Sequence, residues 1–293
     1  MKRALIFVLG GICVAALSVS LWPAPPAKSH IYFADAPSDR AEIIAHAAGQ
    51  GHAPPNTLLA LETAEQMGAD VLEVDVQQTR DGVLILRHDD TLDRTTDLTG
   101  VIADMDWAEI AGADAGATWI VDGNSFASRG IKIPKLEEAL ATFPDARWTI
   151  EIKNDTPHAA TAMCAEIKSA GAQSRVLVAS FHDAAMATFR AECPAVATSA
   201  SSREVRDFVI AAKLGLSRFV SMPAVALQVP TQSNGLDLTH PRVMAAAQRR
   251  GIRIQYWTIN DPAEIERLLA AGADGVMTDY VDRGRAALSD AAK

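Results

Sequence analysis

Glu73 and Asp75 stand two residues apart, flanked by Leu72, Val74 and Val76. On a β-strand, residues two apart share a face. One face of this segment is therefore apolar, and the other carries two carboxylates. The stretch "TIEIKN" repeats the arrangement, with Glu151 and Lys153 on one face and Ile150 and Ile152 on the other. His46 ends the apolar run "EIIAH", and His88 opens "HDD" shortly after the paired acids. Taken singly, each has a plain structural reading: two acids on a solvated strand face, a histidine that closes a strand. Taken together, three acids, a lysine and two histidines at strand ends describe a polyanionic site that holds a hard cation, with Glu73, Asp75 and Glu151 as ligands. Three carboxylates without thiolates or several imidazoles suit Ca²⁺ or Mg²⁺ better than zinc.

Side chains from distant parts of the chain converge in this way at the C-terminal mouth of a parallel barrel, where strand ends build the site. The periodicity supports that frame. Strands are expected in "EIIAH", "DVLEVDV", "RWTIEIK", "RVLVASF", "AVATSAS", "RFVSMP", "IRIQYWTI" and "DGVMTD", with "GVLIL" an additional hairpin strand after the turn Arg80-Asp81-Gly82. "VALQVP" is left unassigned. Helical runs separate most of the strands; the first is "TLLALETAEQMGA", with Thr57 at its start and Gly68 at its end. The pattern predicts an α/β fold, a (β/α)8 TIM barrel, over residues 41–285. Residues 97–134 lose the periodicity and are expected to form a small insertion over the barrel mouth.

The chain has 293 residues, 49% of them hydrophobic, and a net charge of −9. Setting aside about 30 N-terminal residues leaves a length close to the ~250 typical of one such barrel. The acidic balance argues against nucleic acid as a partner. Lys2 and Arg3 precede nineteen uncharged residues that end at Trp22, followed by a Pro-rich linker. At ~1.5 Å per residue such a helix just crosses a ~30 Å hydrocarbon core. Residues 1–29 are therefore expected to form an apolar signal-anchor helix and linker, with a cleaved signal peptide as the alternative. The basic start directs the remainder out of the cytoplasm, to the periplasmic side of the inner membrane. Cys164 and Cys193 lie in that exported part, where they can pair or remain two buried thiols.

The chain resembles the glycerophosphodiester phosphodiesterase family from Ile43 to Asp282. The resemblance rests on "AHAAGQGHAPPNTLLALETAEQMGADVLEVDV", "TRDGVLILRHDDTLDRTTDLTG", "IPKLEEAL", "IEIK", "ASF", "YWTIND" and "GADGVMTDY", in that order. It implies a TIM barrel, a divalent metal on Glu73, Asp75 and Glu151, and His46 and His88 in the acid–base positions, with His88 expected to be the acid. Lys153 takes the phosphate-binding position. Trp257 would pack on the glycerol carbons, although a core tryptophan is an equally good reading of that residue. The implied reaction is metal-dependent hydrolysis of a small glycerophosphodiester to an alcohol and glycerol 3-phosphate.

Two departures stand out. The family's His-Arg-Gly reads His46-Ala47-Ala48 here, which removes a guanidinium expected at the phosphate, and Pro55 replaces an acid in the following motif. Lys153 could suffice there, or Gln50, His52 or Arg129 could reach in instead. Two other functions fit the same residues. One is a lysophospholipase D acting at the membrane, with a mouth lined by Trp107, Trp119, Ile120 and Phe126. The other is an inactive anchored binding protein on the same barrel.

Overall fold

The computed structural model describes residues 30–291; the expected N-terminal apolar helix lies outside them. Among the described residues no helix is long and apolar enough to cross a membrane. Eight parallel strands follow one another around a ring: β1 (Glu42–Ala45), β2 (Val71–Gln78), β3 (Trp148–Ile152), β4 (Val176–Ala179), β5 (Ala197–Thr198), β6 (Ala226–Val229), β7 (Arg253–Tyr256) and β8 (Gly275–Thr278). β1 pairs with both β2 and β8, and a parallel bridge from Ser199 to Ala226 joins β5 to β6 and completes the circuit. Eight helices alternate with the strands: α1 (Leu58–Gln66), α2 (Leu136–Thr142), α3 (Pro157–Ser169), α4 (Asp183–Glu192), α5 (Ser202–Lys213), α6 (Pro241–Arg249), α7 (Pro262–Ala270) and α8 (Val281–Ala291). This is the (β/α)8 barrel that the periodicity predicts.

Alternation along the strands divides the side chains as expected. Outward Leu72, Val74, Val76, Ile150 and Ile152 pack in one large cluster with apolar residues of α1, α2, α3 and α4. The interior is partly polar. Gln228 donates to Thr149 and Gln255, Gln255 donates to Glu42, and Arg147 pairs with Glu42. Tyr32 packs with Leu177, Ala197 and Ala226, and Arg147 lies over its ring. The Arg147–Glu42 ion pair offsets part of the cost of burying these two charges, while Arg147 Nη2 stays buried without a hydrogen-bond partner. Cys164 on α3 and Cys193 just beyond α4 form a disulfide.

Two expectations change. "RFVSMP" is not a strand: Ser217–Phe219 form a 3₁₀ turn with Phe219 64% exposed. The sixth barrel strand lies in "VALQVP", where Ala226, Leu227 and Val229 are buried between the ring's interior and its helices. The segment 97–134 lies between the hairpin strand Leu84–Leu86 and α2. It folds on an apolar cluster of its own, in which Ile102, Ile110 and Ile133 pack with Ile85 of the hairpin strand. None of its residues lines the central cavity.

Candidate active site

A cavity of about 1020 Å³ opens at the C-terminal ends of the strands, and His46, Glu73, His88, Glu151, Lys153 and Trp257 all line it. Strand register explains the meeting. Asp75 and Glu151 are direct neighbours across the parallel pair β2–β3, and Glu73 sits two residues earlier on the same face. Oxygen atoms of Glu73, Asp75 and Glu151 lie within 4.8 Å of one another, a group that could hold a metal ion. Lys153, one step past β3, places Nζ 2.9 Å from Asp75 Oδ1 and 3.0 Å from Glu151 Oε2.

So much negative charge in one buried place distorts its own titration. Burial, then the charge of Asp75, pushes Glu73 up to about 8, despite the opposing pull of His46. Burial also acts against Asp75, but Lys153 and the Asn56 hydrogen bond overcome it and hold this carboxyl below its usual range. Glu151 is raised by burial, with Lys153 opposing. Three acids of which two are raised are a donor set that a divalent cation would complete, because the ion supplies the missing positive charge.

The loop after β1 is shaped to serve these acids. Ala47, Ala48 and Gly49 have φ of 46°, 65° and 78°. Two of the three are not glycine, at a cost of about 1 kcal/mol each. The turn places the Ala47 N–H 2.6 Å from Glu73 Oε2. Asn56, also left-handed, donates its N–H to the Ala47 carbonyl and its side-chain amide to Asp75 Oδ2 at 2.9 Å. The loop thus fixes two of the three carboxylates through backbone and amide donors.

Each histidine has a carboxylate behind it. His46 Nδ1 is 2.7 Å from Asp279 Oδ1, and Gln50 and Asn260 donate to the same carboxylate. Burial opposes a charge on His46, but the Asp279 hydrogen bond and the charges of Glu73, Asp279 and Asp75 outweigh it and push the imidazole up to about 9. Gly51 lets this strand end approach: a Cβ there would meet the Tyr280 ring at 2.5 Å and the Asp279 carbonyl at 2.7 Å. His88, half-exposed, has Nδ1 2.7 Å from Asp89, which Arg94 grips through two nitrogens. Trp257 has both aspects, packing on the buried Ile44, Val71 and Met277 while facing the cavity. It lines the cavity and meets Phe181 edge-to-face at 5.7 Å.

Of the residues expected to replace the missing arginine, only Lys153 lines the cavity. Gln50 is engaged with Asp279, His52 with Asp282, and Arg129 lies over the Phe126 ring at 4.6 Å; none lines the cavity. Trp107, Trp119, Ile120 and Phe126 do not line it either. Asp279 and Asn260 were not singled out from the sequence. Both sit just beyond barrel strands, in "TDY" and "TIND", and an acid one step past a barrel strand is the signal that could have found the first.

Residues 46–283 match the glycerophosphoryl diester phosphodiesterase family. A glycerophosphodiester phosphodiesterase of Caldanaerobacter subterraneus is 30% identical over 247 residues, covering 81% of this chain and 93% of that one. Among solved structures, an Oleispira antarctica phosphodiesterase in complex with the product sn-glycerol-3-phosphate is 26% identical with a TM-score of 0.71. The match covers 86% of this chain and 98% of that one. A glycerophosphodiester phosphodiesterase from Agrobacterium tumefaciens is 26% identical with a TM-score of 0.68, over 83% and 99% of the two chains.

Proposed function

The chain belongs to the glycerophosphoryl diester phosphodiesterase family, and from that premise we propose that it hydrolyses glycerophosphodiesters to glycerol 3-phosphate and an alcohol with the help of one divalent cation. The observation that carries the reading is the single cavity that gathers two carboxylate-backed histidines, a lysine and the buried acids. A binding protein would have no use for acid–base groups gathered in one cavity with a cation site. Glu73, Asp75 and Glu151 would hold Ca²⁺ or Mg²⁺, which when bound neutralises charge on the phosphoryl oxygens.

The chain's own residues supply the rest. Lys153 faces the phosphate and balances charge that the equatorial oxygens gain as the bond breaks. His46 takes the proton of the attacking hydroxyl, and Asp279 holds the ring in one orientation and stabilises the imidazolium that forms. His88 gives a proton to the leaving oxygen. Attack by the glycerol 2-hydroxyl gives a cyclic phosphate, which water then opens with the two histidines in exchanged roles. Trp257 and Phe181 shield the glycerol carbons from solvent.

The proposed setting is the periplasmic face of the inner membrane, held there by the N-terminal apolar segment. The disulfide between Cys164 and Cys193 supports an oxidising compartment. N-terminal sequencing of the purified protein that begins near Val19 or Leu21 would show the segment removed instead.

The test is release of glycerol 3-phosphate from glycerophosphocholine, with and without chelator, together with calorimetric titration of wild type and Glu151→Gln with Ca²⁺ and Mg²⁺. Loss of one of three carboxylates should weaken binding severely and take activity with it. Equal affinities would remove Glu151 from the metal site, and a wild type inert with either ion would leave only a binding role.

A further inference from the structure

The barrel has a second end, where the strands begin, and the chain enters there. Arg147, just before β3, donates from Nε to the Tyr32 carbonyl at 3.1 Å. Arg253, the first residue of β7, lies over the Phe33 ring at 5.3 Å. Tyr32 packs on Ala226, the first residue of β6, and Phe33 and Val225 lie against the same cluster. Residues 30–33 therefore close the barrel at the end opposite the catalytic mouth.

The same end carries an apolar surface that no described residue covers. Helix α5 runs toward it, since each helix of a barrel leads from the end of one strand back to the start of the next. Gly215, at φ 76°, ends the helix in a left-handed turn, with the Leu216 N–H on the Ala211 carbonyl. In such a turn the residue after the glycine commonly packs back on the helix, yet Leu216 is 47% exposed. Leu214 and Phe219 are 67% and 64% exposed, and Ile31 on the entering chain is 60% exposed. None of these four lines the cavity. Arg250, shortly before β7, donates from Nη1 to the Ser217 and Val220 carbonyls at 2.7 and 2.8 Å, which holds the segment at the strand starts. Phe208, Val209 and Ala212 are buried in the cluster beneath. In "KLGLSRF" the basic Lys213 and Arg218 alternate with the exposed apolar residues. Asp70 and Asp274, at the same end, are paired with Arg40 and Arg253.

We propose that this end of the barrel rests on a phospholipid bilayer, with Ile31, Leu214, Leu216 and Phe219 in the headgroup region and the catalytic mouth turned away from the membrane. The inference rests on the anchored setting proposed above. Apolar tips among basic side chains suit a lipid surface, where the tips leave water and the cations meet phosphates. The point of entry commits the surface to a bilayer. Only Pro23–Ser29 separate His30 from the apolar run that ends at Trp22, and seven residues reach at most ~25 Å. A membrane crossed by that run is never far from this end, and such a tether raises the effective concentration of a weak contact. With the mouth turned away, the site draws on diesters dissolved in the surrounding water, not on lipids still in the bilayer.

The test uses the full chain in vesicles of phosphatidylethanolamine and phosphatidylglycerol, with a fluorophore on Leu216→Cys or, at the mouth, on the exposed Ser233→Cys. Cys13→Ser removes the other reactive thiol, and the Cys164–Cys193 disulfide stays intact. A nitroxide quencher carried on the lipid should quench position 216 several-fold more than position 233. Leu214→Asp with Phe219→Asp, both at exposed positions, should release position 216 while the protein still floats with the vesicles. Equal quenching at the two positions in protein that floats overturns this inference and leaves the anchored setting standing. An emission change at position 216 that follows protein density and ignores the lipid quencher places a second copy there, and overturns it as well. Protein that fails to float overturns the anchored setting, and this inference with it.

Discussion

Asp279 makes the sharpest prediction at the scale of single residues. Its hydrogen bond and charge help hold His46 at about 9. If His46 is the base, it works deprotonated, so kcat/KM rises with pH through its pKa. Asp279→Asn removes a charge and should lower that pKa. The ascending limb should therefore move to lower pH while the maximum falls, by roughly 10²–10⁴. A pH profile in which the limb stays or moves upward would separate Asp279 from the base. A p-nitrophenyl diester completes the assignment, since its leaving group needs no proton: it should restore a variant lacking His88 and not one lacking His46. Much of this site was legible in the sequence, because alternation on a strand fixes which of Glu73, Val74 and Asp75 share a face. The partner of His46 was not, since it lies 233 residues away and only barrel closure brings it near. Ala47 shows the same limit from the other side. Its side chain was the apparent loss, whereas its backbone N–H serves Glu73.

At the scale of elements, the packing of α2 against α3 leaves one charge poorly placed. Glu166 on α3 is pushed up to about 7, first by burial and then by Glu137, against the pull of Lys135. Its Oε2 is buried without a partner. A carboxyl raised on folding binds more protons folded than unfolded between about 4.5 and 7, so stability falls as pH rises through that window. Glu166→Gln should leave stability unchanged near pH 4 and raise it at pH 8. After allowance for the solvent that reaches this group, the gain is about 1–2 kcal/mol. Denaturant melts at the two pH values check it; equal shifts at both would place the effect in packing. Element by element, the sequence was clear where one apolar face alternates with a polar one, as in β2 and β3. It was misleading for "RFVSMP" and "VALQVP", two short apolar windows near each other. Local pattern cannot tell which of two such windows will be covered on both sides. The insertion is a similar case: its aromatics suggested a mouth, but none of them lines the cavity, and Trp107 packs on a small separate core.

For the whole molecule, the ring is unevenly stitched. β2 and β3 share five register pairs, from Leu72 with Trp148 to Val76 with Ile152. β5 has only two residues, and it reaches β6 through one bridge, with the Ala200 N–H on the Ala226 carbonyl at 2.9 Å and the Val225 N–H on the Thr198 carbonyl at 3.0 Å. Local opening follows the least-bonded part of a structure. The amides of Ala200 and Val225 should therefore exchange with solvent deuterium at least roughly tenfold faster than those of Val74 and Ile150. Equal protection at both places would mean that the barrel opens only as a unit.

That seam gives the barrel the mechanics of a split ring instead of a pipe. A pipe resists widening equally all round, whereas a split ring yields at its gap and stays true elsewhere. The gap here falls between β5 and β6, beside Ser199 and Ala200 of the cavity wall and across the ring from the carboxylates. Any yielding would thus fall on the β5–β6 side of the cavity, while the five register pairs of β2 and β3 hold the distances among the charged groups. Stiffness and give are divided between the two halves of one circle.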